Sequence, residues 1–144
     1  MSHKLPTKQQ ILECPYGVSC YYYSLKDGTD TGIKFFENKR ECEQSKYYQH
    51  IASLSGLSPR CWGSVYSNGF FGYFTEEIEM LHKLYNLKNL PRKIKKEIEN
   101  LAKELEETCD IQVDWNYRNF GINKFGELMY VDFGDIPQYR YVNR

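Results

Sequence analysis

The chain has no apolar run near the length of about 18 residues that a membrane-crossing helix requires. It also lacks an excess of either charge: 19 basic and 19 acidic side chains leave its 144 residues neutral, with a pI near 6.8. That balance disfavours nucleic acid and anionic membrane surfaces as partners. Histidine is scarce, and His3, His50 and His82 are too scattered to form a metal cluster or serve a nucleophile. The five cysteines, Cys14, Cys20, Cys42, Cys61 and Cys109, are odd in number and lack any C-x-x-C pair. They read as reduced thiols rather than a disulfide framework or zinc ligands. The opening Met1-Ser2-His3-Lys4-Leu5-Pro6 lacks the apolar core of a signal peptide, so the expected compartment is the cytoplasm. Internal repeats and low-complexity tracts are missing too.

With 41% hydrophobic residues the chain can bury one real core, divided between two small lobes. Aromatic content is high, and Tyr21 to Tyr23 and Tyr47-Tyr48 are expected to pack core and lobe faces. Tyr21-Tyr22-Tyr23-Ser24-Leu25 and Gly32-Ile33-Lys34-Phe35-Phe36 are β-prone runs around the turn signal Lys26-Asp27-Gly28-Thr29-Asp30. Glu37 to Leu54 reads as a helix, with a stop at Ser58-Pro59-Arg60. Asn68-Gly69 then leads into an aromatic strand that runs through Phe74 and Thr75 to a connector at Glu76 to Ile78. After Pro91, which suits a first helical turn, Ile94, Ile98, Leu101, Ala102 and Leu105 form one apolar stripe. The opposite face mixes Lys93, Lys95, Lys96, Glu99, Lys103, Glu106 and Glu107, a solvated surface rather than a nucleic-acid patch. Its basic start and acidic end oppose the helix dipole, so this helix is expected to depend on tertiary packing.

The chemistry concentrates near the C-terminus. Phe120-Gly121-Ile122 and Leu128-Met129-Tyr130-Val131 are short β-prone runs around Asn123-Lys124-Phe125-Gly126, which carries the Asn and Gly of a tight turn. A hairpin here brings Asn119 beside Asp132, with Asp114 one loop upstream. A carboxylate and an amide offer the oxygen donors that Mg²⁺ takes, and a second carboxylate can accept the proton of an attacking hydroxyl. A surface hairpin with solvated Asp and Asn at its ends is the plainer alternative.

The spaced pair Asp114-x-x-x-x-Asn119 and Asp132-Phe133-Gly134 resembles the catalytic and metal-binding loops of the protein-kinase superfamily, which includes the aminoglycoside phosphotransferases. The resemblance covers roughly residues 10 to 136 and implies an α+β, small bilobal protein-kinase-like fold. Residues 10–77 would form an N-lobe with an antiparallel sheet plus one helix. Residues 78–144 would form a truncated C-lobe with a long helix and the catalytic β-hairpin, cut just after the metal loop. Its implied roles are specific. Lys34 grips the α- and β-phosphates of ATP, and Glu43 orients Lys34, with Glu41 or a merely solvated glutamate as the alternatives. Asp114 is the general base, or positions the acceptor hydroxyl, and Asn119 and Asp132 hold Mg²⁺. Gly17 and Ser19, in Pro15-Tyr16-Gly17-Val18-Ser19, cover the phosphates unless that stretch is an ordinary turn. Glu76 to Ile78 become the interlobe hinge beside the base. Gln112 departs from the pattern, because His commonly stands two residues before the catalytic Asp.

The activity implied is transfer of the γ-phosphoryl of Mg·ATP to a protein hydroxyl, autophosphorylation included. Two other readings stay open. One is a nucleotide-binding pseudokinase or partner-binding inhibitor, docking a protein or a second copy of the chain through the apolar surface of a truncated lobe. The other is a small-molecule phosphotransferase, for which the missing peptide platform and the short 16-residue Glu43–Pro59 interval speak.

Overall fold

Asn38 opens the central helix of the upper half, because its side-chain oxygen accepts from the backbone N–H groups of Arg40 and Glu41 at 2.8 and 3.2 Å. In the computed structural model, which describes residues 5–14, 20–113 and 115–133, this helix (α2) runs Lys39–Leu54. Ahead of it lie α1 (Lys8–Leu12), β1 (Tyr21–Ser24) and β2 (Thr31–Phe36). After it come β3 (Cys61–Ser67) and β4 (Phe70–Glu76), and the four strands form one antiparallel sheet in the order β1-β2-β4-β3.

All six residues of β2 are buried, because both faces of the sheet are covered. Ile33 and Phe35 point into a cluster with Ile11 of α1 and with Phe70. Lys34 and Phe36 point to the opposite face, where Cys42, Ser45 and Gln49 of α2 pack against Tyr73 and Thr75. Alternation along a strand with period two sets this division. The short helix α1 carries a complete capping box between Thr7 and Gln10, and its Ile11 is fully buried under the sheet.

The lower half begins with β5 (Glu79–Met80) and α3 (Leu81–Leu84), and continues through α4 (Arg92–Cys109) to β6 (Phe120–Ile122) and β7 (Leu128–Tyr130). Strands β5-β6-β7 form a second antiparallel sheet. The stripe Ile94, Ile98, Leu101, Ala102 and Leu105 is buried, as its spacing implies, and packs on Leu81, Ile111, Phe120, Tyr130 and Phe133. Ala52 and Leu57, from the end of α2, belong to the same cluster, so the two halves share a core. Tyr130 N–H donates to the Leu57 carbonyl at 3.0 Å and adds a backbone tie between them. The architecture is therefore α+β, with an antiparallel four-stranded sheet above and a long helix with a small sheet below. Among the described residues no helix is long and apolar enough to cross a membrane.

The turn of the β6–β7 hairpin is fixed by one side chain. Asn123 Oδ1 accepts from the N–H groups of Phe125 and Glu127, both at 2.9 Å, and Gly126 supplies the positive φ of +80° that closes the loop. The register pairs Phe120 with Tyr130. One step further out, Val131 N–H donates to the Asn119 carbonyl at 2.9 Å.

Candidate functional site

Lys34 sits at the junction of the two halves. Its strand aims it at α2, and it is 7% exposed. The ammonium donates to Gln49 Oε1 at 2.8 Å and to the carbonyl of Val131, 97 residues further along the chain. The rings of Tyr73 and Phe133 flank it, with centroids 5.8 and 5.7 Å from Nζ. Burial pulls Lys34 below the ordinary lysine value, while the thiols of Cys20 and Cys61 and the carboxylate of Asp132 oppose that shift by favouring its charge. The Lys34 charge thus faces the segment Val131-Asp132-Phe133 where it leaves the hairpin.

The expected ion pair between Lys34 and Glu43 does not form. Glu43 lies on the solvent side of α2, 68% exposed, with Lys39 Nζ at 3.9 Å. The reason is helical phase. Cys42, Ser45, Gln49 and Ala52 make the buried face at intervals of three and four residues, and Glu43 is rotated by about 100° from Cys42. Glu41 is exposed as well, on the first turn beside its Asn38 cap. Gln49 takes the position facing the lysine, and its four hydrogen bonds explain why an amide suits it. Its Oε1 accepts from Lys34 and, at 2.8 Å, from Tyr73 Oη. Its Nε2 donates to the Pro59 carbonyl at 3.0 Å and to Thr75 Oγ1 at 2.7 Å. A carboxylate could make the first pair and not the second.

Asn119 is 6% exposed, at the end of a short 3₁₀ turn (Tyr117–Asn119) that feeds β6. Asp132 is half-buried, directly after Val131, whose N–H bonds to the Asn119 backbone. Lys34, Asn119 and Asp132 are therefore brought to one corner. Asp114, Gly17 and Ser19 lie outside the described residues, as does Gly134. Among the described residues no group of three or more His, Cys, Asp and Glu side chains gathers as a metal site. One carboxylate and one amide still fit Mg²⁺, which binds through one or two protein donors and fills its remaining positions with phosphate and water oxygens.

A separate cavity of about 550 Å³ opens along the connector that follows β4, with Asp30, Arg60, Trp62, Glu76, Lys83 and Lys124 in its wall. Lys34, Asn119 and Asp132 do not line it, so the corner that holds the charged groups and this cavity are distinct places.

Beside the lysine, one pairing was not expressed in the sequence pattern. Tyr22 lies opposite Lys34 in the β1–β2 register, and Ser24 lies opposite Gly32. Both hydroxyls reach the connector. Tyr22 Oη donates to Glu77 Oε1 at 3.1 Å, and Ser24 Oγ donates to Glu77 Oε2 at 3.0 Å. Burial, together with the Glu77 charge and hydrogen bond, pushes the Tyr22 phenol far above its ordinary value, so it stays protonated and donates. The adjacent connector backbone is tied to the β1–β2 turn by Glu77 N–H donating to the Asp30 carbonyl at 2.8 Å.

Comparison with models of protein families finds no match for this chain, and comparison with curated proteins finds none either.

Proposed function

We propose that the chain is a minimal kinase-like phosphotransferase that binds Mg·ATP at the Lys34–Asn119–Asp132 corner. The observation that carries this reading is the seating of the Lys34 ammonium against Val131 and within the field of Asp132, at the mouth of the hairpin that also holds Asn119. A buried cation next to oxygen donors suited to a hard divalent ion is what a triphosphate needs. In this reading Lys34 holds the α- and β-phosphates, kept in place by Gln49. Asn119 and Asp132 hold Mg²⁺, which when bound neutralises the charge that develops on the transferred phosphoryl group. Asp114 receives the proton of the acceptor hydroxyl.

The acceptor in this reading is a protein hydroxyl, on this chain or another. One observation favours a second reading, nucleotide binding without transfer: the lysine is oriented by neutral Gln49 rather than by a carboxylate. Incubation with γ-labelled Mg·ATP separates the two. The kinase reading expects labelled protein from wild type, and none from Asp114→Asn, which still binds nucleotide. Binding by both proteins with labelling by neither would favour the second reading. Labelling of Asp114→Asn at the wild-type rate would remove Asp114 from its role.

A further inference from the structure

We infer that the chain pairs with a second copy of itself through the outer edge of β3, joining two four-stranded sheets into one. The inference is independent of the phosphate-site reading.

Strand β3 ends the β1-β2-β4-β3 sheet. An outer strand presents a row of unpaired N–H and C=O groups, and native proteins blunt such an edge with charged residues or proline. Cys61-Trp62-Gly63-Ser64-Val65-Tyr66-Ser67 contains neither. A bulge at Gly63 interrupts its start, yet Ser64 to Ser67 run in regular register against β4. The other outer strands are shorter, with four residues in β1, two in β5 and three in β7.

The hairpin turn fixes which backbone groups face outward. Asn68 and Gly69, with φ of +54° and +84°, form a two-residue loop that closes on the pair Ser67–Phe70. The closing pair of such a loop is hydrogen-bonded, so Ser67 and, two residues back, Val65 turn their backbone groups to β4. Ser64 and Tyr66 turn theirs outward, and among the described residues nothing bonds to them. Antiparallel pairing about a two-fold axis at Val65 sets Ser64 opposite Tyr66 of the second copy, and Tyr66 opposite its Ser64. Each pair exchanges two backbone hydrogen bonds, so the outward groups of both strands are satisfied.

The side chains fit the same register. Ser64 and Tyr66 share the face that α2 covers, where the Lys46 ammonium donates to Ser64 Oγ at 3.0 Å. The Tyr66 side chain is 65% exposed. Opposite Ser64 of the second copy, its ring comes beside the Lys46 ammonium there, a cation against an aromatic ring. Each ring serves the other copy's lysine, so the edge is its own complement.

Sedimentation equilibrium of the full chain under reducing conditions tests this. One strand pair lies at the low end of interface sizes, so wild type is expected to dimerise with a Kd on the order of 10–100 µM. Tyr66→Lys sets a lysine against Lys46 of the second copy and should weaken the dimer about tenfold or more. The double variant Lys46→Glu/Tyr66→Lys makes that pair opposite in charge and should restore it. Cross-linking reads the register separately. Residues facing across the axis lie about 4.5 Å apart between Cα atoms, within disulfide reach, so Val65→Cys should form a disulfide-linked dimer with oxidised glutathione. Ser67→Cys, four residues out of register with its own counterpart, should not. A single-chain mass up to about 1 mM would overturn the inference. So would a dimer that Tyr66→Lys leaves intact, one that the double variant fails to restore, or equal cross-linking at positions 65 and 67.

Discussion

Gln49 accepts a hydrogen bond from the Lys34 ammonium at 2.8 Å, and the same amide oxygen accepts from Tyr73 Oη. The fully buried amide also donates to Pro59 and Thr75, so removing it takes a hydrogen bond from four groups at once. Each lost hydrogen bond costs about 0.5–1.5 kcal/mol. Gln49→Ala is therefore expected to lose at least about 2–4 kcal/mol in urea unfolding. Glu43→Gln, on the solvated side of α2, should stay within about 0.5 kcal/mol of wild type. Equal losses for the two substitutions would contradict the arrangement.

The hairpin turn should matter to the corner at its other end. The Asn123 side chain accepts from two N–H groups of the turn and donates to Glu127 Oε1. Asn123→Ala is expected to cost about 1–2 kcal/mol. It should also speed amide exchange of Val131, whose N–H bonds to Asn119. Unchanged Val131 exchange would mean that the turn does not support the site.

Two thiols contribute to an alkaline limit on the fold, alongside the buried Tyr22 and Tyr73 phenols, which burial also raises. Burial pushes Cys20 from 9.0 up to about 11 and Cys42 up to about 12. As pH rises past 9.0 the unfolded chain loses these protons first, so stability falls until the folded values are reached. The double variant Cys20→Ala/Cys42→Ala should flatten the decline of unfolding free energy between pH 9 and 11. A decline of unchanged slope would assign it to other groups.

Lys34 has the opposite sign. Its folded value is lowered, chiefly by burial, from the ordinary 10.5. Between the lowered value and 10.5 the unfolded chain holds a proton that the folded chain has released, so stability rises with pH there. Below that window the cost of burying the charge is carried in full. The unfolding free energy of Lys34→Met minus that of wild type should therefore fall as pH increases from 7 towards 10. A difference that does not vary with pH would contradict a lowered Lys34.

Much of this was legible locally. The Asn123-to-Gly126 turn, the apolar stripe of α4 and the buried strand around Lys34 are each written in spacing and residue type over a few positions. The lysine's partner was not, because the family resemblance implied a glutamate while helical phase decided the matter. Cys42 and Ala52 set the buried face of α2, and Gln49 is on it while Glu43 is not. Helix α1 was not read from the sequence: five residues are too short for a periodic pattern, and the helix depends on its Thr7–Gln10 capping box and on Ile11 being buried under the sheet. The Tyr22–Glu77 clasp spans 55 residues and arises only when β1 pairs with β2 beside the connector. No local pattern encodes it.

The most direct test of the account is thermal unfolding with and without Mg·ATP, on wild type and on Asp132→Ala. Ligand at about 100 times its Kd adds roughly 2.7 kcal/mol, which is several degrees for a chain of this size. The account predicts a Mg²⁺-dependent rise for wild type and none for Asp132→Ala. No rise for wild type, or an equal rise for both proteins, would contradict a phosphate site at the Lys34–Asp132 corner.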